Sequence, residues 1–225
     1  MPRQFRYLDV LTTTFVVTLL VSNLVAQKIV RIGPFPISGA LILFPITYIF
    51  GDIFTEVYGY GASRRAIWLG FFGTALMWGT GALVIALPAD PAFHNQQAFI
   101  TVFSILPRLL IASLVAFWAG EFANSYTMAR LKILTRARWL WTRTVGSTVV
   151  GQAVDTILVV TLTFLGTYPI ATLAKIVITN YLFKVVYEVV ATPLTYLIVD
   201  FLKRVEHSDP FDAHTDFNPF RLGEN

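Results

Sequence analysis

The sequence predicts an all-α integral membrane protein in which six transmembrane helices form one bundle. The composition points to a membrane: of 225 residues, 56% are hydrophobic and only 13% are charged, whereas a soluble domain carries about 25% charged residues. The pattern agrees, because six apolar stretches are each long enough to cross a hydrocarbon core of about 30 Å, which takes about 20 helical residues. Turn-forming or basic breaks separate these stretches.

The breaks define the individual spans and the organisation of the chain. The predicted spans lie near residues 9–30, 37–58, 65–88, 98–124, 143–167 and 173–201. The breaks between them are Gly33–Pro36, Gly59–Ser63, Pro88–Pro91, the basic stretch Arg130–Arg138 and Gly166–Pro169. Residues 205–225 contain five carboxylates, two prolines and no apolar period, which is typical of a flexible segment. We therefore expect a membrane domain over residues 1–204 and a flexible cytoplasmic tail over residues 205–225.

Lysine and arginine residues orient the bundle, because cytoplasmic segments carry an excess of them. With the N-terminus inside, the inner segments hold Arg64, Arg65 and the basic stretch, whereas the outer segments hold only Lys28, Arg31 and Lys175. Both termini are therefore expected in the cytoplasm. The net charge of +4 lies between apolar segments rather than on one face, so we expect no nucleic-acid partner.

Seven ionisable side chains inside the predicted spans are the strongest functional signal. They are Asp52, Glu56, Arg108, Glu121, Asp155, Lys184 and Glu188. A charge at membrane depth costs about 2.5 kcal/mol or more, so such residues face the bundle interior and either pair or function. Five acids and two bases leave at least three carboxylates without a basic partner. We expect some of these carboxylates to be protonated or to bind a ligand.

The second span carries two acids, Asp52 and Glu56, which lie four residues apart and so on one helical face. Asp52 follows Gly51, which lets another backbone or a ligand approach closely. Pro45 is expected to bend this helix and free a carbonyl. We predict that Asp52 is a site residue, with a structural ion pair as the alternative. Glu56 lies nearer the interface, where it either functions or pairs with the two arginines that follow the span.

The fifth and sixth spans carry two further polar faces. Gln152 and Asp155 lie three residues apart, so they either offer a donor and an acceptor to one polar ligand or bond a neighbouring helix. Asn180, Lys184 and Glu188 follow at spacings of four residues. They form either a ligand-lining stripe or, for the last two, an intrahelical ion pair.

The first and fourth spans carry weaker signals. Asn23 and Gln27 lie four residues apart in the first span without any charge. In the fourth span, Arg108 lies near the outer side and is expected to be a counter-ion. Glu121 lies near the basic inner loop, where we expect a structural role.

Several classes of protein are disfavoured. The chain has no cysteine, which excludes thiolate metal sites and cysteine nucleophiles, and it has neither a Walker A nor an H-E-x-x-H motif. The three histidines lie outside the spans. We expect no cofactor, no metal and no catalytic residue. An intramembrane enzyme would need clustered acids, whereas these acids are spread over four spans. A structural subunit is the third class considered.

The polar positions together resemble a transporter family. The stretches are S-N-L-V-A-Q-K in the first span, G-D-I-F-T-E-V-Y-G-Y-G-A-S-R-R after the second, G-Q-A-V-D-T in the fifth and Y-L-F-K-V-V-Y-E-V in the sixth. They are similar to the queuosine precursor transporter family, also called the vitamin-uptake or VUT family, over about residues 8 to 204.

The resemblance implies six transmembrane helices in the bacterial inner membrane and import of a 7-deazaguanine, such as preQ0 or preQ1, for salvage into tRNA queuosine. It also implies a distant likeness to the substrate-binding subunits of energy-coupling-factor importers. The first span lacks their A-x-x-x-A surface, which favours a carrier that acts alone. The alternative is an importer of another vitamin or heterocycle with an energising partner. A small-molecule substrate and membrane lipid are the expected partners, and a homo-oligomer is left open.

A deazaguanine could be bound by the polar side chains that the predicted spans contain. One carboxylate can accept both donors on the edge of a base, and an aromatic ring can stack on its face. We predict that Asp52 or Asp155 reads the donor edge. The residues expected to line the pocket beside them are Asn23, Gln27, Gln152, Asn180, Lys184 and Glu188. Glu56, Glu188 and Arg108 are the candidates for coupling or gating.

Overall fold

Helices dominate the architecture. A computed structural model describes residues 5–26, 28–32, 35–39, 43–103, 107–213 and 215–221. Its α-helices are Leu8–Val25 (α1), Phe44–Ile53 (α2), Tyr60–Ala86 (α3), Gln96–Phe103 (α4), Pro107–Leu134 (α5), Leu140–Phe164 (α6) and Ile170–Glu206 (α7). Helix α2 continues into a π-helical segment, Phe54–Tyr58. Strands Ile29–Ile32 (β1) and Phe35–Ser38 (β2) form an antiparallel hairpin in which Ile29 pairs with Ser38.

Five helical stretches in the described part of the chain are long and apolar enough to cross a membrane. They are Leu8–Val25, Tyr60–Ala86, Gln96–Leu134, Leu140–Phe164 and Ile170–Glu206. The second predicted span, 37–58, differs, because β2 occupies its beginning and the described helix covers only residues 44–58. This is fewer than the about 20 residues that a perpendicular span needs. The all-helical membrane class is confirmed, with five sufficiently long spans among the described residues.

The second predicted span is irregular in a way that the sequence did not indicate. Pro45 lies in the first turn of α2, where a missing N–H disrupts nothing, so the predicted bend at Pro45 was wrong. The geometry changes later, where α2 passes into the π-helical segment and ends at Gly59, whose φ of 87° favours glycine. Every residue from Gly51 to Tyr60 is buried. Single π-helical turns are frequent at functional sites, and this one begins two residues after Asp52.

Aromatic rings set the rotation of α2 against α1. The ring of Phe15 lies 6.0 Å from that of Phe50 and 5.6 Å from that of Phe54, centroid to centroid. Ile53 and Val57 are buried in the same cluster. Edge-on aromatic pairs of this kind stabilise packing beyond the area they bury. The packed face of α2 therefore determines the direction in which the neighbouring acids point.

Two glycines bring α5 and α6 together. A Cβ atom on Gly120 would lie 2.7 Å from the Cβ of Asp155, and one on Gly151 would lie 2.7 Å from the Cβ of Asn124. Both distances are far below van der Waals contact, so neither position accommodates a larger residue without movement of its neighbour. Small residues allow helix backbones to approach in this way within membranes. The contact places Asp155 against Gly120 and Asn124 against Gly151.

The first and the last described segments of the chain meet at one end of the helix bundle. The backbone N–H groups of Arg6 and Tyr7 donate to the Glu206 carboxylate at 3.0 and 2.7 Å. The Tyr58 hydroxyl donates to the same carboxylate at 3.1 Å. The start of α1, the end of the π-helical segment and the end of α7 therefore lie at one face of the bundle, which we call the tail face.

The C-terminal tail packs against the tail face. Asp212 accepts a hydrogen bond of 3.1 Å from the backbone N–H of Tyr60, and Trp68 Nε1 donates to the Pro219 carbonyl at 2.8 Å. The ring of Phe220 lies 5.9 Å from that of Trp68. We did not expect such contacts of a flexible segment. They arise because the tail carries aromatic residues that find ring partners, while its flexibility itself stays a prediction.

Candidate functional site

A cavity lies among the helices and includes several of the intramembrane acids. Its volume is about 180 Å³, more than ten times the roughly 15 Å³ that one water molecule needs. Its polar lining consists of Asn23, Thr47, Tyr48, Asp52, Thr74, Ser113, Glu121, Asn124, Thr148, Gln152, Asp155 and Lys184. A cavity with convergent polar groups inside an apolar bundle is the form expected of a small-molecule site.

Asp52 supplies a buried carboxylate to this cavity and is 1% exposed. The Asn124 amide donates to its Oδ1 at 3.4 Å, which is a weak bond. Its Oδ2 has no hydrogen-bond partner among the residues that the structure describes. A Cβ atom on Gly51 would lie 3.0 Å from Glu121 Oε2. A group does approach Gly51 closely, but it is a side-chain carboxylate of α5 rather than the backbone or ligand that was expected.

An ion pair between α6 and α7 forms part of the cavity wall. Lys184 Nζ donates to Asp155 Oδ2, and the two side chains are about one-fifth exposed. This ion pair joins two helices, whereas the four-residue spacing had allowed a pair of Lys184 with Glu188 within α7. Glu188 is 1% exposed, and in the described part of the chain neither of its carboxylate oxygens has a hydrogen-bond partner. Lys184 thus contacts α6, while Glu188 lies buried without a bonded base.

The acids around the cavity interact with one another. The charge of Asp52 interacts with those of Glu188 and Glu121. The charge of Glu121 interacts with those of Asp155 and Lys184. Within this group of described residues, Lys184 is the single base and is bonded to Asp155. The excess of acid that the sequence predicted is therefore concentrated at one site.

Aromatic side chains form the apolar part of the wall. Trp78 is 3% exposed and lines the cavity together with Tyr48 and Phe117. Phe103 packs edge-on against Trp78, with ring centroids 6.1 Å apart. Phe103 thus holds the indole ring of Trp78 in place. Stacking of this ring on a flat ligand stays a prediction.

The predicted site residues fall into three groups. Those that line the cavity are Asn23, Asp52, Gln152, Asp155 and Lys184. Glu188 is buried close to Asp52, whereas Asn180 is exposed on α7 and does not line the cavity, so its predicted position was wrong. Each four-residue step rotates a helix position by about 40°, which turns Asn180 outward when Glu188 faces inward. Gln27 lies outside the residues that the structure describes.

Glu121 and Asn124 on α5 are candidate site residues that sequence reasoning missed. Both line the cavity, although the neighbouring basic loop had led us to expect a structural role for Glu121. A signal was present, because Gly120 precedes Glu121 as Gly51 precedes Asp52. A glycine beside an intramembrane acid marks a close approach in both cases.

Glu56 lies in an ion network rather than in the cavity lining. It is 0% exposed and accepts hydrogen bonds of 2.8 and 2.6 Å from Arg143. Lys132 and Lys203 contact the same carboxylate. Pairing with the arginines at the start of α3 was one alternative for Glu56. The bases shown at its carboxylate are those three, while Arg64 donates to backbone carbonyls of the tail. A role of Glu56 in coupling or gating stays a prediction.

The tail completes this network through Asp209. One of its carboxylate oxygens lies 2.6 Å from Lys132 Nζ and 2.7 Å from Lys203 Nζ. Burial by itself would raise the pKa of Asp209, but hydrogen bonds from the two ammonium groups outweigh burial and hold this pKa below its usual range. Asp209 is therefore ionised at neutral pH. The network of three bases and two acids links the π-helical segment, α5, α6, α7 and the tail.

Arg108 caps the end of α6. Its Nε and Nη2 donate to the carbonyls of Leu162 and Leu165, both at 2.6 Å. The last carbonyls of a helix have no partner within it, and a basic side chain satisfies them. In the described part of the chain, Arg108 thus donates to backbone carbonyls rather than to the acid expected of a counter-ion. A part of Arg108 in coupling or gating stays a prediction.

The stretch that contains most of the cavity matches a known family. A family model described as "Putative vitamin uptake transporter" matches residues 38–198, from β2 to the second half of α7. The chain belongs to this family. A relative named "Probable queuosine precursor transporter", from Bacillus subtilis (strain 168), is 30% identical over 190 residues, which are 83% of this chain and 82% of the relative. The comparison with solved structures gave no match.

Membership of the vitamin uptake transporter family confirms the resemblance found in the motifs of the first, second, fifth and sixth spans. The chain is a multi-pass membrane transporter, a class that agrees with its apolar helices. Transport rather than catalysis is what this membership implies. A transporter needs a site for its small molecule within the bilayer, and the cavity around Asp52 has the polar lining of such a site.

Proposed function

We propose that this vitamin uptake transporter imports a queuosine precursor, a 7-deazaguanine such as preQ0 or preQ1, across the bacterial inner membrane for salvage into tRNA. The observation that carries the proposal is Asp52 Oδ2, which is buried in the cavity without a hydrogen-bond partner among the described residues. A buried polar group without a partner costs about 1–3 kcal/mol, and more when it is charged. A ligand with N–H donors removes this cost.

A 7-deazaguanine presents the donors that Asp52 lacks. Its ring amide and exocyclic amine share one edge, and a single carboxylate accepts from both, as acidic side chains do at base edges. The ring carbonyl needs a donor, which Lys184 or Asn124 in the cavity wall supplies. Trp78 and Phe117 offer aromatic faces, and stacking on a base contributes about 1–3 kcal/mol.

Two further observations support this assignment. Asp155, the other acid predicted to read the donor edge, is bonded to Lys184 through Oδ2, so Asp52 is the more available acceptor. The relative from Bacillus subtilis carries a queuosine precursor in its name, and it aligns over 83% of this chain.

Uptake into cells that cannot make queuosine tests the proposal. Cells with and without this protein receive labelled preQ0, preQ1 or queuine, and queuosine in tRNA is measured. We expect at least one of the three to restore queuosine only when the protein is present. If none does so while the protein reaches the membrane, the proposed substrate class is wrong.

Asp52→Asn tests the site within the same assay. The variant keeps the size of the side chain but replaces an acceptor by an N–H donor that faces the donors of the ligand. Loss of one hydrogen bond to a charged group costs about 1.5–3 kcal/mol, so we expect uptake at low substrate concentration to fall by about 10- to 100-fold. Asp200→Asn is the control, because Asp200 is 62% exposed and paired with Arg204. Normal uptake by Asp52→Asn at normal expression would remove Asp52 from the site.

Import of another vitamin or heterocycle is the second candidate, favoured by the description of the family model. A panel of labelled vitamins, tested for accumulation and for competition with preQ0, separates the two substrate classes. We propose that the protein acts without an energising partner. Accumulation by the purified protein in lipid vesicles tests this, and a strict requirement for an added ATPase would contradict it.

We also propose six spans with both termini in the cytoplasm, α2 and the π-helical segment being the second span. The N-terminal backbone and the end of α7 meet at Glu206, which supports termini on the same side. Termini on one side require an even number of crossings. The basic side chains Lys132 and Lys203 lie at the same tail face, and such an end faces the cytoplasm by the positive-inside rule.

A further inference from the structure

Glu188 on α7 is a second buried carboxylate beside Asp52. It is 1% exposed, its two oxygens have no hydrogen-bond partner among the residues described, and its charge interacts with that of Asp52. Lys184, one turn earlier, is bonded to Asp155. Two interacting buried acids, each with at least one oxygen that has no hydrogen-bond partner among the described residues, need a cation or a donor from elsewhere.

The surroundings add negative charge to this pair. The titratable groups whose charges act on Asp52, Glu188 or their immediate neighbours are Tyr48, Glu56, Glu121, Asp155 and Lys184. Of the acids among them, Asp155 is bonded to Lys184 and Glu56 to Arg143. Taking an ion out of water costs several kcal/mol, and two carboxylates that share a dry site do not both ionise. One proton held by the pair removes the repulsion between the two carboxylates and the burial cost of one of the two charges.

We propose that Asp52 and Glu188 together bind one proton, which this protein carries inward with each molecule of substrate. The inference rests on the proposed import of a 7-deazaguanine. The N–H donors of that base need an ionised Asp52, so the proton resides on Glu188 while the base is bound. After the base leaves on the cytoplasmic side, the proton leaves Glu188 on the same side. With preQ0, one proton and one neutral base cross in each cycle, and one positive charge enters the cell.

A proton fits the pair better than a metal ion does. A single proton needs one carboxylate oxygen, whereas calcium or magnesium takes six or more oxygen ligands. The proposal also explains why the two acids lie close to each other. When Glu188 is neutral, Asp52 ionises without a like charge beside it, and an ionised Asp52 binds the base. Proton binding and base binding therefore favour each other.

Purified protein in lipid vesicles separates coupling from substrate binding. With the membrane potential clamped at zero and no sodium present, an inward gradient of one pH unit should concentrate labelled preQ0 about tenfold. Glu188→Gln should lose this accumulation yet still exchange labelled for unlabelled preQ0, since exchange needs no net proton movement. Asp200→Asn, the same kind of change at an exposed acid of α7, should accumulate preQ0 like the wild type.

A second measurement does not depend on any variant. A pH-sensitive dye inside wild-type vesicles should report one proton entering for each preQ0. Binding of preQ0 should weaken in the wild type as the pH rises and Glu188 loses its proton. Glu188→Gln, which resembles the protonated state of Glu188, should keep its preQ0 binding over the same rise in pH. Gradient-driven accumulation by Glu188→Gln, accumulation that requires sodium, or uptake without proton entry would each overturn the coupling. Wild-type vesicles that neither bind nor exchange preQ0 would instead overturn the proposed substrate.

Discussion

Glu56→Gln should strongly destabilise the bundle. Glu56 is 0% exposed, and its partners Lys132 and Arg143 are 1% and 2% exposed. The substitution keeps the shape of the side chain and removes its charge. The network then contains three bases and a single acid, Asp209, whose side chain is 47% exposed. Buried positive charge is left without compensation at the tail face.

The magnitude follows from the burial of the pair. Removing one partner of a buried ion pair costs about 3–5 kcal/mol, because the other charge stays in the interior. In a protein of this size, 1 kcal/mol shifts the melting temperature by about 2–4 °C. We therefore expect Glu56→Gln to lower the melting temperature by about 6–20 °C. The matched control is Asp200→Asn, whose exposed pair with Arg204 contributes about 0–1 kcal/mol and so about 4 °C at most.

Thermal unfolding of the detergent-solubilised protein measures both shifts. The double variant Glu56→Gln/Arg143→Gln removes a buried base together with the acid that faces it. It should therefore be destabilised by less than the sum of the two single variants. If Glu56→Gln melts no earlier than Asp200→Asn, or if the single effects simply add, the network does not stabilise the fold in the way described.

Two further predictions concern the helix contact and the topology. Gly151→Ala should lower the stability by about 1–3 kcal/mol and weaken preQ0 binding, because the new Cβ would lie 2.7 Å from the Cβ of Asn124. The control Gly79→Ala, whose new Cβ has nothing within 4 Å, should leave stability and binding unchanged or add up to about 1 kcal/mol of stability. Equal melting temperatures of the two variants would contradict the close contact. Reporter proteins fused to each end of the chain should both be active in the cytoplasm, whereas activity of one reporter outside would contradict an even number of spans.

The positions of the helices could be read from the sequence because the length and apolarity of a span are local properties. Five predicted spans coincide with helices of sufficient length in the described chain. The second span was predicted less well, because β2 and the π-helical segment depend on partners elsewhere in the chain. Phe15 of α1 packs on α2, and Asp212 of the tail bonds Tyr60 just after it.

The sequence predicted some of the residues of the candidate site. Their position inside predicted apolar spans singled out Asp52, Asp155, Lys184 and Gln152, all of which line the cavity. Which face of a membrane helix points inward is hard to predict from its sequence, because the helix is apolar on its lipid side as well as on its packed side. Asn180 was assigned to the interior although it faces outward, because spacing relates residues on one helix but not one helix to the next.

The sequence by itself determined that this is a membrane protein built from apolar helices and that its predicted spans hold more acids than bases. Both follow from the cost of moving side chains out of water. The tertiary structure alone decided which acid meets which base. It pairs Lys184 with Asp155 across two helices, brings Arg143 to Glu56 and leaves Glu188 beside Asp52. Pairing depends on the rotation and separation of packed helices, which contacts between distant segments set, such as that of Gly120 with Gly151.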